Sequence, residues 1–235
     1  LPLDIVVEGV ASGQLNILAF ASNPWQIFSI DNSGNDAPRL IIEYETTQEL
    51  ESIINIPDDF PTIQLGIDAA SDGDTVMVSA GTYFENINWP TVANIRLIGV
   101  HMDSTIIDGG GLDKVIDNSD ETSHPIEISN LTIQNGYSTG KGGGISLKMI
   151  GELLLKNIKV DNNHSEKGGG VYIEGEGSAS LMTTVVHIEN SVISNNSADT
   201  YGGGIALSGD LISSVMKNVT VVNNLAVDGG GGINA

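Results

Sequence analysis

From residue 126 onward, apolar and polar positions alternate in short runs: Ile126 to Ile133, Leu153 to Val160, Val185 to Ile193 and Val215 to Val222. Each run is bounded by Gly and Asn and is too short for a helix of ordinary length, so a period of two predicts strands. Upstream, Thr75 to Val78, Ile95 to Gly99 and Thr105 to Ile107 predict further strands, with Asp108 and the glycines after it as a turn. One stretch has a different period. Ile63, Ile67 and Ala70 fall at helical spacing, Pro61 sits near the start, and Ser71-Asp72-Gly73-Asp74 supplies a stop, which predicts a short amphipathic helix.

The strands belong to a repeat of the form N-x-x-[IV]-x-N-[NG], a short spacer, then G-G-G-[IV]. Asn130 to Gly136 precedes Gly142 to Ile145, and Asn157 to Asn163 precedes Gly168 to Val171. Asn190 to Asn196 precedes Gly202 to Ile205, and Asn218 to Asn224 precedes Gly230 to Ile233. The first Asn recurs at spacings of 27, 33 and 28 residues. Such a period, with three short strands per repeat, describes one coil of a parallel β-solenoid whose coils stack at ~4.8 Å. One coil cannot bury its own inner face, so stacked coils must share a column of Ile, Val and Leu. The Asn slots suit left-handed corners and side-chain bonding to the next coil. The 33-residue coil carries its extra length in the polar stretch 174–180, where a solenoid tolerates insertion. The helix is expected to cover the open end of the column, where backbone groups would otherwise lack partners.

Composition narrows the function classes. Nine Lys plus Arg against thirty Asp plus Glu give 9 − 30 = −21, which excludes a nucleic-acid binder and disfavours an anionic membrane surface. No run approaches the roughly 18 apolar residues of a membrane span. The absence of Cys removes disulfides, thiolate metal sites and cysteine catalysis, so burial must supply the stability. Glycine at 29/235, about 12 %, exceeds the usual ~7 % and fits a tightly turned β architecture. The opening LPLDIVVEGV lacks Met and a signal-peptide layout, and GGGGINA stops within a repeat; both suggest a piece of a longer chain.

Phe60-PTIQLGIDAASDGDTVMVSAGTYFENI resembles the N-terminal entry of right-handed parallel β-helix proteins of the pectin lyase-like superfamily, and IRLIGVHMDSTIIDGGG resembles their second coil. The N-N-x-A-x-x-x-G-G-G-I form at Asn195 to Ile205 is similar to repeats of polymorphic outer-membrane and autotransported adhesin proteins. The resemblance covers about 58–235. It implies an all-β fold, a right-handed parallel β-helix with a short N-terminal capping helix. It leaves function open, because this solenoid hosts lyases, hydrolases, epimerases and adhesins.

Residues 1–46 do not repeat. Leu15 to Ala21, Trp25 to Ile30 and Arg39 to Glu45 predict strands, and SIDNSGNDAPRLIIEY resembles the last strands of DNRLRE-type β-sandwich modules of secreted proteins. These residues are expected to be an incomplete antiparallel β-sandwich segment, with 47–57 as a linker whose TTQELESIINIP suits either a helical turn or a strand.

Candidate sites follow from residue chemistry. Asp103, Asp108, Asp113, Asp117 and Asp120 crowd two turns, and carboxylates are what calcium would use, with six to eight oxygens; the alternative is a solvated acidic surface. No cofactor is required by the pattern, and calcium is the one it suits. Lys156 and Lys217 directly precede the repeat Asn, with Ser129 and Glu189 in the same slot. Lysines stacked on one face would meet an anionic sugar. Tyr137 and Tyr201 lie in the spacer before a Gly triplet, where a ring can pack on a sugar face. His101, His124, His164 and His187 share no slot and read as turn or surface residues. The N-x-[ST] patterns at Asn130, Asn163, Asn195 and Asn218 read as turn chemistry of the repeat.

Lyases of this fold use Lys or Arg as base beside calcium. The paired Asp motifs and the His-Gly and Arg-x-Lys signatures of polygalacturonases are not found. The expectation is therefore a secreted or cell-surface modular protein in which the β-helix is a structural or adhesive stalk that meets polysaccharide or cell-surface glycans. A polysaccharide lyase and a self-associating extracellular filament subunit are the rivals.

Overall fold

The computed structural model describes residues 51–91, 94–118, 122–175, 183–209 and 211–235, together with the strands Ile5–Ala11 and Gln14–Ala19. Leu1–Glu49 and Leu50–Ala235 form two compact units. In the first, Ile5–Ala11 pairs antiparallel with Gln14–Ala19. The second of these strands falls on the predicted Leu15 stretch, whereas the first is additional to the prediction. The predicted strands Trp25 to Ile30 and Arg39 to Glu45 lie outside the described residues.

The second unit is a parallel β-solenoid with three faces. Face one stacks Ile53–Ile56, Thr75–Val78, Arg96–Gly99, Ile126–Ser129, Gly151–Lys156 and the first parts of Thr184–Ser194 and Ile212–Val222. Face two stacks Gly81–Phe84, Thr105–Asp108, Thr132–Gln134, Lys159–Asp161 and the second parts of those two long strands. Face three runs through Ile87–Asn88, Ile116–Asp117, Ile145–Met149, Val171–Gly175, Ile205–Ser208 and Ile233–Asn234. The stretch expected as a linker thus contains the first strand of face one.

Register converts the repeat into columns. Ile54, Val76, Leu97, Ile128, Leu155, Ile188 and Met216 are successive partners on face one. Ile107, Ile133, Val160, Ile193 and Val221 line face two, and Ile87, Ile116, Ile145, Val171, Ile205 and Ile233 line face three. The three columns meet in one core in which most members are fully buried, each aliphatic contributing roughly 1.5–3 kcal/mol.

The corners are made by Asn. Asn130, Asn157, Asn190 and Asn218 all have φ between 49° and 58° where face one turns into face two, and Asn135, Asn162, Asn195 and Asn223 have φ of 55–57° where face two ends. Asn tolerates this left-handed region because its short amide bonds locally. Here the amides also bond up the stack: Asn157 donates to Asn130 at 2.9 Å, Asn162 to Asn135 at 2.7 Å and Asn218 to Asn190 at 3.0 Å.

The next residue forms a third, buried ladder. Oδ1 of Asn196 accepts from the backbone N and Nδ2 of Asn163, each at 2.9 Å, while its own Nδ2 donates to Val160 O and Asn224 Oδ1, each at 3.0 Å. All four hydrogen bonds open to that amide are made, and its residue is wholly buried. The coil before has Gly136 in this slot, whose N–H donates to Asn163 Oδ1 at 2.8 Å; a Cβ there would run into the Gly143 backbone. In the spacer beyond, Gly168 has φ +65°, and a Cβ on Gly169 would strike the Ser197 and Gly203 carbonyls of the next coil.

The predicted helix is Ile63–Ala69, with Thr62 as N-cap and Ile63 and Ile67 packed into the core end. Glu85 completes the cap, accepting from the Ile63 and Gln64 amides at 2.9 and 3.0 Å. Gln64 meets the edge of face three as a strand would, accepting from Asn88 N at 2.7 Å and donating to Asn88 O at 3.1 Å. No helix among the described residues is long and apolar enough to cross a membrane, which says nothing of strands.

Three buried or half-buried carboxylates lock adjacent turns. Burial alone would raise Asp108, but donors from Gln134, the Gly110 amide and Asn135 outweigh it and hold it below the usual carboxylate range. Asp161 behaves likewise under Ser194, Asn195 and Lys159, and Asp74 under the Ser52 and Ser71 amides. A folded pKa depressed below the unfolded ~3.9 gives stability that is complete above that value and lost as pH falls through the folded pKa. Melting temperatures scanned from neutral pH to pH 2 are expected to fall below about pH 4, and to fall less steeply in Asp108→Asn, which starts less stable at neutral pH. Asn196→Ala removes four side-chain hydrogen bonds at a buried site and is expected to cost more than about 2 kcal/mol in denaturant unfolding; Asn218→Ala, at an exposed corner, should cost less than half as much.

Candidate lateral site

Between faces two and three the chain makes a lateral ladder of its own, His164–Lys167 beside Ser197–Tyr201 beside Leu225–Ala226. The sequence pattern marks this stretch only as a spacer; in the fold it is strand. Single bridges extend it one coil back, pairing Tyr137 with His164 and Lys141 with Lys167. Two side-chain columns result. Tyr137, His164, Ser197 and Leu225 stand at its entry, and Lys141, Lys167 and Tyr201 at its exit. Tyr137 and Tyr201 therefore share the lateral ladder but not a column.

At the exit, lysines lie over rings. Lys141 Nζ is 5.1 Å from the Tyr172 ring centre and Lys167 Nζ is 5.4 Å from that of Tyr201, within range of cation–π attraction. Tyr172 itself is buried, so its ring is a floor for Lys141 and not a platform for a ligand. Lys141 also bonds Glu174 at 2.7 Å. That bond, ahead of opposing desolvation and with help from Tyr172, raises its pKa, so Lys141 is a fixed ammonium at neutral pH.

Lys141 borders an open groove of about 350 Å³ that runs across three coils and is lined by Lys114, Asp117, Ser146, Lys148, Tyr172 and Glu174 among others. Lys114 bonds Asp117 at 2.8 Å. Three of the nine cationic residues of a chain with net charge −21 thus border one groove, against two carboxylates, Asp117 and Glu174, a local excess of positive charge that an anionic group can use.

The other predicted sites fall differently. Asp103 faces His101 at 3.6 Å, Asp113 Oδ1 accepts from the Lys114 amide, Asp108 is committed to Gln134, Gly110 and Asn135, and Asp117 to Lys114. Asp120 lies outside the described residues. Among the described residues, no three His, Asp or Glu side chains converge on a centre of metal size. Lys156 and Lys217 do share an outward column on face one, but Glu189 stands between them in register, with Ser129 below. The column alternates in sign and is not a basic track. Of the sequon asparagines, Asn163 is fully buried and Asn130, Asn195 and Asn218 are engaged in side-chain bonds. His187 approaches Glu152 at 3.7 Å on face one.

Sequence reasoning misses Lys114, Lys141 and Glu174 as a group. Lys141 and Glu174 are 33 residues apart, and only register brings them together; the one signal in the sequence is that Lys141 directly precedes a Gly triplet.

The fold and this surface define a parallel β-solenoid with a built lateral face. Residues 190–208 match the Chlamydia polymorphic membrane protein repeat. The matched stretch runs from the Asn190 corner through the lateral strand to Ser208 on face three, so it covers faces two and three and the lateral strand of one coil but not face one. It indicates a repeat of the kind found in surface or outer-membrane proteins of adhesin-like type. No curated protein matches the chain.

Glu174→Gln should let the Lys141 pKa drop back toward the ordinary lysine value, read by NMR titration of the lysine side chains.

Proposed function

We propose that this chain is part of a secreted or cell-surface modular protein in which the solenoid is a structural and adhesive stalk, and in which the groove at Lys114, Lys141 and Lys148 contacts glycans. The observation that carries the reading is the groove: three lysines border it, with Lys141 held across coils by its ion pair to Glu174 and its contact with the Tyr172 ring. The surface-protein repeat supports the location. Kinship with the pectin lyase-like superfamily, and a DNRLRE-type module over 1–46, belong to this reading as well.

A lyase would need a neutral base to remove the proton beside a uronate carboxylate. Lys141 is held in the opposite state, because Glu174 stabilises its charged form. This favours binding over elimination in the groove. Self-association through stacked coils is a further property that the same solenoid would support.

The test is a panel of neutral and uronate polysaccharides, incubated with the protein in calcium or in chelator, scored for retention and for chain cleavage. Retention without cleavage, weakened in Lys141→Ala, is expected. Cleavage yielding unsaturated ends that disappears with chelator would make the chain a calcium-dependent lyase, and retention of nothing would remove glycan contact from the reading. Light scattering across a concentration series reports self-association separately.

A further inference from the structure

The entry column of the lateral ladder holds a second arrangement. His164 and Ser197 are direct partners in register, and His164 Nδ1 lies 2.9 Å from Ser197 Oγ. Asp199 is two residues past Ser197 and so returns to the same side of the strand. Its Oδ1 stands 3.6 Å from His164 Nε2. The imidazole is therefore placed between a hydroxyl on one nitrogen and a carboxylate on the other. A third group fixes the ring plane: Tyr137 stacks on it with centroids 5.3 Å apart and an interplanar angle of 19°.

The tautomer with its proton on Nε2 turns that proton toward Asp199, 3.6 Å away, and in it the Nδ1 lone pair accepts from the Ser197 hydroxyl. That is the form in which imidazole acts as a general base toward serine. Nucleophile, base and orienting carboxylate are thus all contributed by two neighbouring coils, and none is used by the groove described above. Ser197 and His164 are both partly exposed, so an ester can reach them.

We propose that Ser197, His164 and Asp199 form an acyl-transfer site for small uncharged esters. Ser197 Oγ attacks the ester carbonyl carbon while its proton passes to His164 Nδ1. The tetrahedral adduct collapses by breaking the bond to the alcohol oxygen, which leaves with the proton from His164. Water, deprotonated by the same nitrogen, then attacks the acyl-serine, and the carboxylic acid departs as Ser197 recovers its proton. Asp199 touches no reacting atom and is a positioning residue. An uncharged ester is favoured because Asp199 and the −21 net charge repel an anionic one. Tyr137, 43 % exposed, offers the acyl or alcohol group an aromatic surface.

The test treats the full chain with a fluorophosphonate probe and with 4-nitrophenyl acetate, followed by peptide mapping. Labelling at Ser197 in preference to the other serines is expected, with an acylation burst from the ester. Ser197→Ala should abolish the label, and His164→Ala should slow it about 100-fold. Asp199→Asn should shift the pH profile of labelling while circular dichroism stays unchanged. Mapping on the unmodified chain needs no variant to fold, so a label spread over many serines, or none at Ser197, overturns the proposal. A labelling rate that ignores His164→Ala overturns it equally.

Discussion

The buried ladder Asn163–Asn196–Asn224 is the constraint on which the solenoid depends. Each amide that enters the interior must have its polar atoms satisfied there, because a buried unpaired group costs about 1–3 kcal/mol. The partners at the right height are the equivalent amides and the backbone groups of the adjacent coils. At Asn196 every donor and acceptor is used, and a slip that brought Ser197 into that slot would leave the set broken, since a hydroxyl cannot make all four bonds. The ladder therefore fixes register as well as adding stability. Hydrogen bonds aligned head to tail also reinforce one another in a low-dielectric interior.

Once register is fixed, the outward columns follow without further choice. Inward positions must be apolar to fill the core, whereas outward ones are free to vary. Functional chemistry on this molecule is accordingly written in columns. Lys141, Lys167 and Tyr201 stand in one, His164 and Ser197 in another, and Lys156, Glu189 and Lys217 in a third. Residues about 30 apart in sequence become neighbours about 4.8 Å apart. The same geometry separates the two chemistries of the lateral ladder: ammonium groups over rings at its exit, a hydroxyl and an imidazole at its entry.

Much of the fold was legible because the period is redundant. Four copies of the Asn and Gly landmarks located the corners, and the helix at Ile63 announced itself by a change of period. Three features were not legible. The first strand, Ile53–Ile56, has only two inward residues, Ile54 and Ile56, too short a pattern to separate strand from helical turn. The lateral strands His164–Lys167 and Ser197–Tyr201 are polar and carry no apolar alternation, so they are strands only because the neighbouring coil supplies backbone partners. The crowded aspartates looked like one site because they are close in sequence; folding sends Asp108 to Gln134 and Asn135, and Asp117 to Lys114.

The sequence by itself determined the class of architecture, the coil length, the positions of the corners and the identity of the core columns. These are local or periodic properties, set by which residues tolerate left-handed backbone and which prefer to leave water. Tertiary structure alone decided which side chains face each other across coils. The coils differ in length, at 27, 33 and 28 residues, and only the hydrogen-bonded register shows which positions remain aligned. That is why Lys141 with Glu174, and His164 with Ser197 and Asp199, emerge from the folded chain and not from its motifs.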